Sequence, residues 1–298
     1  MTVAAFEMLV ILQRKLRGRW RNLEGQVVLV TGASSGLGES IAEAFYAQGC
    51  RLILCSRRES ELARVRQKLL QSELRKDNIY PPVILTMDLE DHDRLEEAAR
   101  AAVKIYGRID VLINNAGVSY RGAIADTYLK VDERIMNVNY FGTVLLTKEI
   151  LLSMIEKKSG QIVMIGSIQS KLSIPNRSAY AASKHALLAF TDSLRAEVAK
   201  NKIVVTSILP GYVQTNLSVN ALTAAGSQYG VMDETTKSGM LPADVAKRVV
   251  VAVKTRKQEI LVCPLLYKFV IVLRALFPSL YFYIMKHRAA KESKQKLH

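Results

Sequence analysis

Val27-Val28-Leu29-Val30 is an apolar run that opens directly into Thr31-Gly32-Ala33-Ser34-Ser35-Gly36-Leu37-Gly38. The run, with Gln26 ahead of it, is short, β-branched and ended by a turn. It reads as a strand buried on both faces. Residues 39–48 then read as a helix. The glycines let backbone N–H groups approach a pyrophosphate, which sits at the helix N-terminus. The spacing is Gly-x-x-x-Gly-x-Gly, not the Gly-x-Gly-x-x-Gly of the general dinucleotide fingerprint. A glycine turn with no ligand is the plainer reading, and the flanking strand and helix argue against it.

The alternation continues along the chain. Residues 51–55, 83–87, 110–113, 162–165, 203–209 and 259–262 read as strands. Helices are expected over 59–76, up to Tyr106 with Asp91 or Asp93 as its cap, over 131–152, from about 179 to 200, and over 242–255. Strands alternating with helices predict a doubly wound, Rossmann-type α/β domain with a mostly parallel seven-stranded sheet. That domain is expected over 24–262, between an N-terminal arm (1–23) and a C-terminal tail (263–298). Residues 216–241 carry little pattern, and a loop of that length is usually a lid. Leu217, Leu222, Tyr229, Val231 and Met232 would offer the substrate apolar contacts.

Tyr180 and Lys184 lie four residues apart in the Ala-rich stretch 179–186. On a helix they share a face. A free tyrosine titrates near ~10 and is a poor base at neutral pH. A neighbouring cation favours the phenolate, so the pair is expected to exchange a proton with a substrate oxygen. Ser167 follows the strand at 162–165 and would hydrogen-bond the same oxygen. Tyr-x-x-x-Lys alone occurs often by chance on surface helices; the serine and the glycine loop give it weight. At the end of the second strand Ser56 stands where an NAD enzyme would place an acid. Ser56 cannot repel a phosphate, and Arg57 can clasp a 2′-phosphate through its planar fork. The plainer reading is that Arg57 and Arg58 begin the next helix.

The glycine loop, Asn114-Asn115-Ala116-Gly117, Ser167 and Tyr180-x-x-x-Lys184 together resemble the short-chain dehydrogenase/reductase family, over about residues 23–261. The resemblance implies catalysis by Asn139, Ser167, Tyr180 and Lys184. Asn139 would bend its helix and hold a water linking the lysine to solvent. It is preferred to Asn137 because the family places a glycine three residues on, here Gly142. The resemblance also implies cofactor contacts at Thr31, Gly32, Ser34, Ser35, Gly36, Leu37 and Gly38. Others fall at Asp88 and Leu89, at Asn115, Ala116 and Gly117, at Tyr180 and Lys184, and at Pro210, Gly211, Val213 and Thr215. Arg57 makes the cofactor NADPH/NADP. Ser167 and Tyr180 would bind the substrate carbonyl. His185, beside the lysine, reads as a packed or solvated histidine.

A formal charge of +15 and a pI near 9.7 suggest an anionic partner. Residues 3–12 are an apolar run broken by Glu7 and are followed by Arg14, Lys15, Arg17, Arg19, Trp20 and Arg21. The run is too short to span a bilayer and suits a membrane-surface anchor, or an arm packed on the domain. Residues 265–285 are strongly apolar but interrupted by Lys268, Arg274 and Pro278. They read as an amphipathic helix pair in a bilayer interface, or as a dimer or lid surface. The basic end, Lys286 to Lys296, suits anionic lipid. No aromatic-interleaved basic groove is visible, so a membrane is preferred to nucleic acid.

Cys50, Cys55 and Cys263 are expected as free thiols in a reducing compartment, with no metal site. The sequons at Asn176 and Asn216 flank the expected cleft, which places it on the cytosolic side. The last five residues resemble a retrieval tail of the endoplasmic reticulum; the peroxisome is the other organelle considered. The expected substrate is a lipid, steroid or retinoid carbonyl and the expected assembly a homodimer. The rival reading is a non-catalytic NADP(H)-binding membrane scaffold.

Overall fold

The computed structural model describes residues 20–73 and 80–295. The expected anchor over residues 1–19 and the last three residues of the basic end lie outside it. The strands among the described residues are β1 (Val27–Thr31), β2 (Arg51–Ser56), β3 (Val83–Thr86), β4 (Val111–Asn114), β5 (Tyr120–Arg121), β6 (Gly160–Ile165), β7 (Ile203–Pro210), β8 (Leu222–Thr223) and β9 (Glu259–Val262). Seven of them form one sheet in the order β3-β2-β1-β4-β6-β7-β9. Every pairing in that sheet is parallel. The two-residue strands β5 and β8 pair separately.

Side-chain alternation along the strands builds two core layers. Val28, Val30, Leu52, Leu54, Val111 and Ile113 face one layer. Helices α1 (Gly36–Tyr46) and α2 (Glu59–Gln71) cover it, with α8 (Pro242–Lys254) introduced by its N-terminal proline. Val27, Leu29, Ile53, Cys55 and Leu112 face the other layer. That layer is covered by α3 (His92–Tyr106), by α5 (Thr143–Glu156) and by α6 (Ser178–Glu197), while α4 (Leu129–Met136), which runs on into α5, packs Val131 and Ile135 in a third cluster with Tyr120 and Tyr180. A strand buried on both faces must be apolar at every position, which is why these runs do not alternate with polar residues. Each buried Val, Leu or Ile contributes roughly 1.5–3 kcal/mol. Strand order reverses at the β1–β4 junction, and the crevice at the carboxyl ends of those strands is the place such sheets offer to a ligand.

Several expectations change. The first helix begins at Gly36, three residues before Glu39, so the last glycines belong to its first turn. The single helix expected over 131–152 is α4 and α5 joined by a π-helical turn, Asn137–Gly142. Joined, Leu129–Glu156 is long and apolar enough to cross a membrane, alone among the described residues. It is instead spent in the core, where Leu146, Ile150 and Met154 are buried against the sheet. The lid expected over 216–241 contains β8 and the short helix α7 (Glu234–Lys237). Leu222 packs with Tyr120 and Tyr180, while Val231 is 54% exposed.

The ends of the domain also differ in their packing. Trp20 lies under the Lys254 ammonium, Leu23 is buried, and Arg21 donates to Gln26 and Gln161. Residues 20–23 thus belong to the packed domain. The tail forms α9 (Leu265–Leu276) and α10 (Pro278–Gln295). Leu273 and Tyr281 are buried, and the Tyr281 hydroxyl donates to the Ser173 carbonyl. Leu265, Phe269, Val272 and Leu276 recur at helical spacing and are all exposed, as are Leu280, Phe282 and Tyr283.

Candidate active site

The carboxyl ends of β1, β2, β4, β6 and β7 surround a cavity of about 720 Å³. Every residue assigned from the sequence to the cofactor or to the substrate carbonyl lies on its wall, and Asn139 lies just behind it.

The glycine loop forms one end. Gly32 and Gly36 take φ of +66° and +56°, which side chains rarely adopt. A Cβ on Gly38 would stand 2.1 Å from the Gly32 carbonyl oxygen and 2.6 Å from Asn115 Nδ2. Ser35 is extended and caps α1 with no side-chain bond, leaving the first turn of that helix to the cavity. Thr31 Oγ1 accepts from the backbone N–H groups of Asn115 and Ala116, each at 3.0 Å, and Asn115 Nδ2 donates to Thr31 O at 3.0 Å. These bonds lock the Asn115-Ala116-Gly117 turn against the glycine loop. Thr215 closes the far side, with its methyl against Gly36. The residues present fit a dinucleotide: a narrow glycine cradle, an open helix N-terminus and arginines beyond β2.

Arg57 lines that end, and so does Arg58, which the sequence suggested only as the start of a helix. Arg58 Nη2 donates to Ser34 Oγ at 3.2 Å and reaches Ser35 Oγ at 3.5 Å. Two adjacent arginines at a strand end were the visible signal. Asp88 accepts from the Glu90 N–H at 3.0 Å, and the Leu89 backbone lies where a Cβ on Gly142 would stand, at 2.0 Å.

At the other end α6 presents Tyr180 and Lys184 on one face, both buried. The ammonium lies 5.8 Å from the phenol ring centre and donates to the Ile165 carbonyl at 3.1 Å. The Tyr180 hydroxyl has Ser167 as its polar neighbour, and Ser167 favours the ionised phenol. Ser167 is held in turn: its Oγ accepts from the Gln169 N–H at 3.1 Å, and its own N–H donates to Ser170 Oγ at 3.2 Å. Asn139 is fully buried in the π-turn. Its Oδ1 accepts from the Val118 N–H at 2.8 Å, and its Nδ2 donates to Val118 O at 2.9 Å and to Ser183 Oγ at 3.0 Å. With its amide engaged outside the helix, Asn139 sits where the ladder widens. Gly117 is pressed between Asn139 and Lys184.

The electrostatics correct one expectation. Burial pushes the Tyr180 phenol above its ordinary value; Ser167 and the Arg121 charge oppose this without overcoming it. Burial also lowers Lys184 to about 8. Desolvation penalises both charged forms, so the phenol keeps its proton at neutral pH while the ammonium stays largely charged. Two further wall residues carried no sequence signal. Gln169 has a buried Oε1 with no partner, and Arg121 stands on β5. Of the apolar lid residues, Leu217 and Leu222 reach the cavity; Tyr229, Val231 and Met232 do not.

The fold and this constellation define a nucleotide-dependent oxidoreductase of the α/β type, and the chain belongs to the short-chain dehydrogenase/reductase family, whose profile matches residues 26–225. Over nearly its full length it is similar to dehydrogenase/reductase SDR family member 7B, with 46% identity to the Xenopus tropicalis protein (99% of this chain, 95% of that one) and 48% to that of Danio rerio (98% and 94%). A Drosophila melanogaster SDR family protein 7-like relative is 49% identical over 94% of this chain and 86% of its own. Among solved structures, a short-chain dehydrogenase from Streptomyces avermitilis superposes with TM-score 0.73 at 29% identity, covering 90% of this chain and 97% of that one. A metagenomic short-chain oxidoreductase in complex with NADP superposes with TM-score 0.66 at 27% identity (82% and 99%).

Proposed function

We propose that the protein is an NADP(H)-dependent carbonyl reductase, working equally as the reverse dehydrogenase on the CH–OH group, with Tyr180 as the proton donor. The observation that carries this is a buried phenol that shares the wall of a glycine-cradled cavity with Ser167 and stands one helical turn from Lys184. NADPH, when bound, supplies the hydride. Tyr180 then gives its proton to the substrate oxygen, and its raised pKa suits it to that acid role at neutral pH. Ser167 positions the same oxygen. Lys184 offers a cation beside the phenol as it ionises and a donor for the nicotinamide ribose. Asn139 braces the turn of Val118 and the Ser183 end of the catalytic helix, and supports the proton relay. Turnover of any carbonyl by the parent protein, lost in Tyr180→Phe, supports this reading. Cofactor binding with no turnover across ketone and aldehyde panels supports the scaffold reading instead.

The preference for NADP rests on Arg57 and Arg58, on Ser56 and on the lack of a carboxylate at the end of β2. Charge-assisted hydrogen bonds contribute about 1.5–3 kcal/mol each, so Arg57→Ala and Arg58→Ala should each weaken NADPH binding by at least about tenfold. NADH binding should be unchanged. Cofactor titration by fluorescence decides this, and equal losses for both cofactors contradict it.

Membrane association, and with it a lipid, steroid or retinoid carbonyl, rests on the exposed apolar face of α9 and α10. The endoplasmic reticulum, with the site toward the cytosol, is the proposed location. A homodimer would draw on the exposed Phe141, Leu152 and Ile155. Each apolar side chain entering the bilayer contributes roughly 1.5–3 kcal/mol. Phe269→Glu with Leu276→Glu should therefore cut binding to anionic vesicles by at least about 100-fold. Flotation measures it; unchanged binding would move the anchor elsewhere.

A further inference from the structure

The loop over residues 216–241 is tied to the catalytic centre by charge. Arg121 Nε and Nη2 donate to Asp233 Oδ2 at 2.7 and 2.5 Å, and Arg177 Nη2 reaches the same oxygen at 3.3 Å. All three side chains are largely buried: 8% exposed for Arg121 and 14% each for Asp233 and Arg177. Asp233 stands at the N-cap of α7, where an aspartate ordinarily accepts from the helix N–H groups, yet it makes no such bond. Its carboxylate serves the two guanidinium groups instead. Arg121 is fixed from its other side as well, through Nη1 to Ser119 Oγ at 2.7 Å and to the Tyr120 carbonyl at 2.8 Å.

This cluster faces the catalytic tyrosine. Arg121 and Tyr180 line the same cavity, and Tyr120, the neighbour of Arg121, packs in one apolar cluster with Tyr180 and Leu222. Arg177 directly precedes the helix that carries Tyr180. Two guanidinium groups share this one carboxylate oxygen, so Arg121 keeps part of its charge for a negative charge that forms nearby.

We propose that Arg121 is a positioning residue for proton transfer, a second cation on the cavity wall that carries Tyr180 and Lys184, and that Asp233 is the counterion that limits how much of its charge the phenol feels. This rests on the reading of Tyr180 as the proton donor and deepens it. The charged and hydrogen-bonding groups that bear on the phenol are then Lys184 on its own helix, Ser167 after β6 and Arg121 on β5, with Asp233 at α7 and Arg177 ahead of α6 acting through their ion pairs. Of these, Arg121 is the cation whose pull on the phenol is already felt against burial. The loop thereby tunes the acid: with Asp233 in place less of the Arg121 charge reaches the phenol, and without it the phenol gives up its proton more readily.

The test reads ionisation, not turnover, so it stands whether or not a carbonyl substrate is found. Full-length protein labelled with ¹³C at the tyrosine Cζ is titrated by NMR up to alkaline unfolding. Tyr180→Phe assigns the one resonance of interest among twelve tyrosines. Asp233→Asn should lower the Tyr180 midpoint by about one pH unit, and Arg121→Gln should raise it by a similar amount, as expected for one charge several ångströms away in a partly buried site. Arg121→Lys keeps the charge and should titrate like the parent. If Asp233→Asn does not fold, the two Arg121 variants carry the same comparison. A common midpoint in parent and variants, shifts of the opposite sign, or no ionisation in either the parent or Asp233→Asn overturns the proposal.

Discussion

Gly38→Ala is expected to abolish NADPH binding and to cost the fold about 3 kcal/mol or more, the scale of a severe overpacking defect. The added methyl would sit 2.1 Å from the Gly32 carbonyl oxygen and 2.6 Å from Asn115 Nδ2. The first neighbour is backbone, so no side-chain rotation relieves the contact. The loop must move, and with it the bonds from the Asn115 turn to Thr31. Gly107→Ala is the control. That glycine caps α3 at φ +69°, and its Cβ would meet nothing within 4 Å. Only backbone strain of about 1 kcal/mol is expected there, with cofactor binding intact. Thermal melts and NADPH titration of both variants separate the two effects. Equal behaviour would mean that the loop tolerates a side chain and is not a close cradle.

Tyr180→Phe should lower carbonyl turnover by about 100- to 10,000-fold, the contribution of a positioned general acid. The ring stays packed with Tyr120, Ile135 and Leu222, so the fold should be unaffected. The oxygen removed is the one on which Ser167 acts. NADPH affinity should stay within about fivefold, equivalent to the roughly 1 kcal/mol of a single hydrogen bond. Steady-state kinetics beside a binding titration checks both halves. Equal losses of affinity and turnover would make the hydroxyl a binding group only.

Much of this was legible in the chain. Runs such as Val27–Thr31 and Ile203–Pro210 are buried on both faces, and the apolar residues at most of their positions make them visible. Local spacing likewise places Tyr180 and Lys184 on one helical face. What stayed hidden depends on contacts far apart in sequence. The π-turn exists because Asn139 bonds to Val118 and Ser183 rather than within its helix. Strand β8 forms because Leu222 meets Tyr120 across about a hundred residues of chain. The direction of the Tyr180 pKa could not be read from a nearby lysine, because burial sets it and burial is a property of the folded cavity. Arg121 and Asp233, 112 residues apart, have no common motif to announce them.

The most direct test of the account is deuterium transfer from NADPH labelled at the nicotinamide C4, with the parent and Tyr180→Phe proteins, a panel of lipid, steroid and retinoid carbonyls, and vesicles present. The account expects the parent to deliver deuterium to the carbonyl carbon of at least one member and the variant to deliver almost none while still binding NADPH. Labelled alcohol formed equally by both proteins would contradict it.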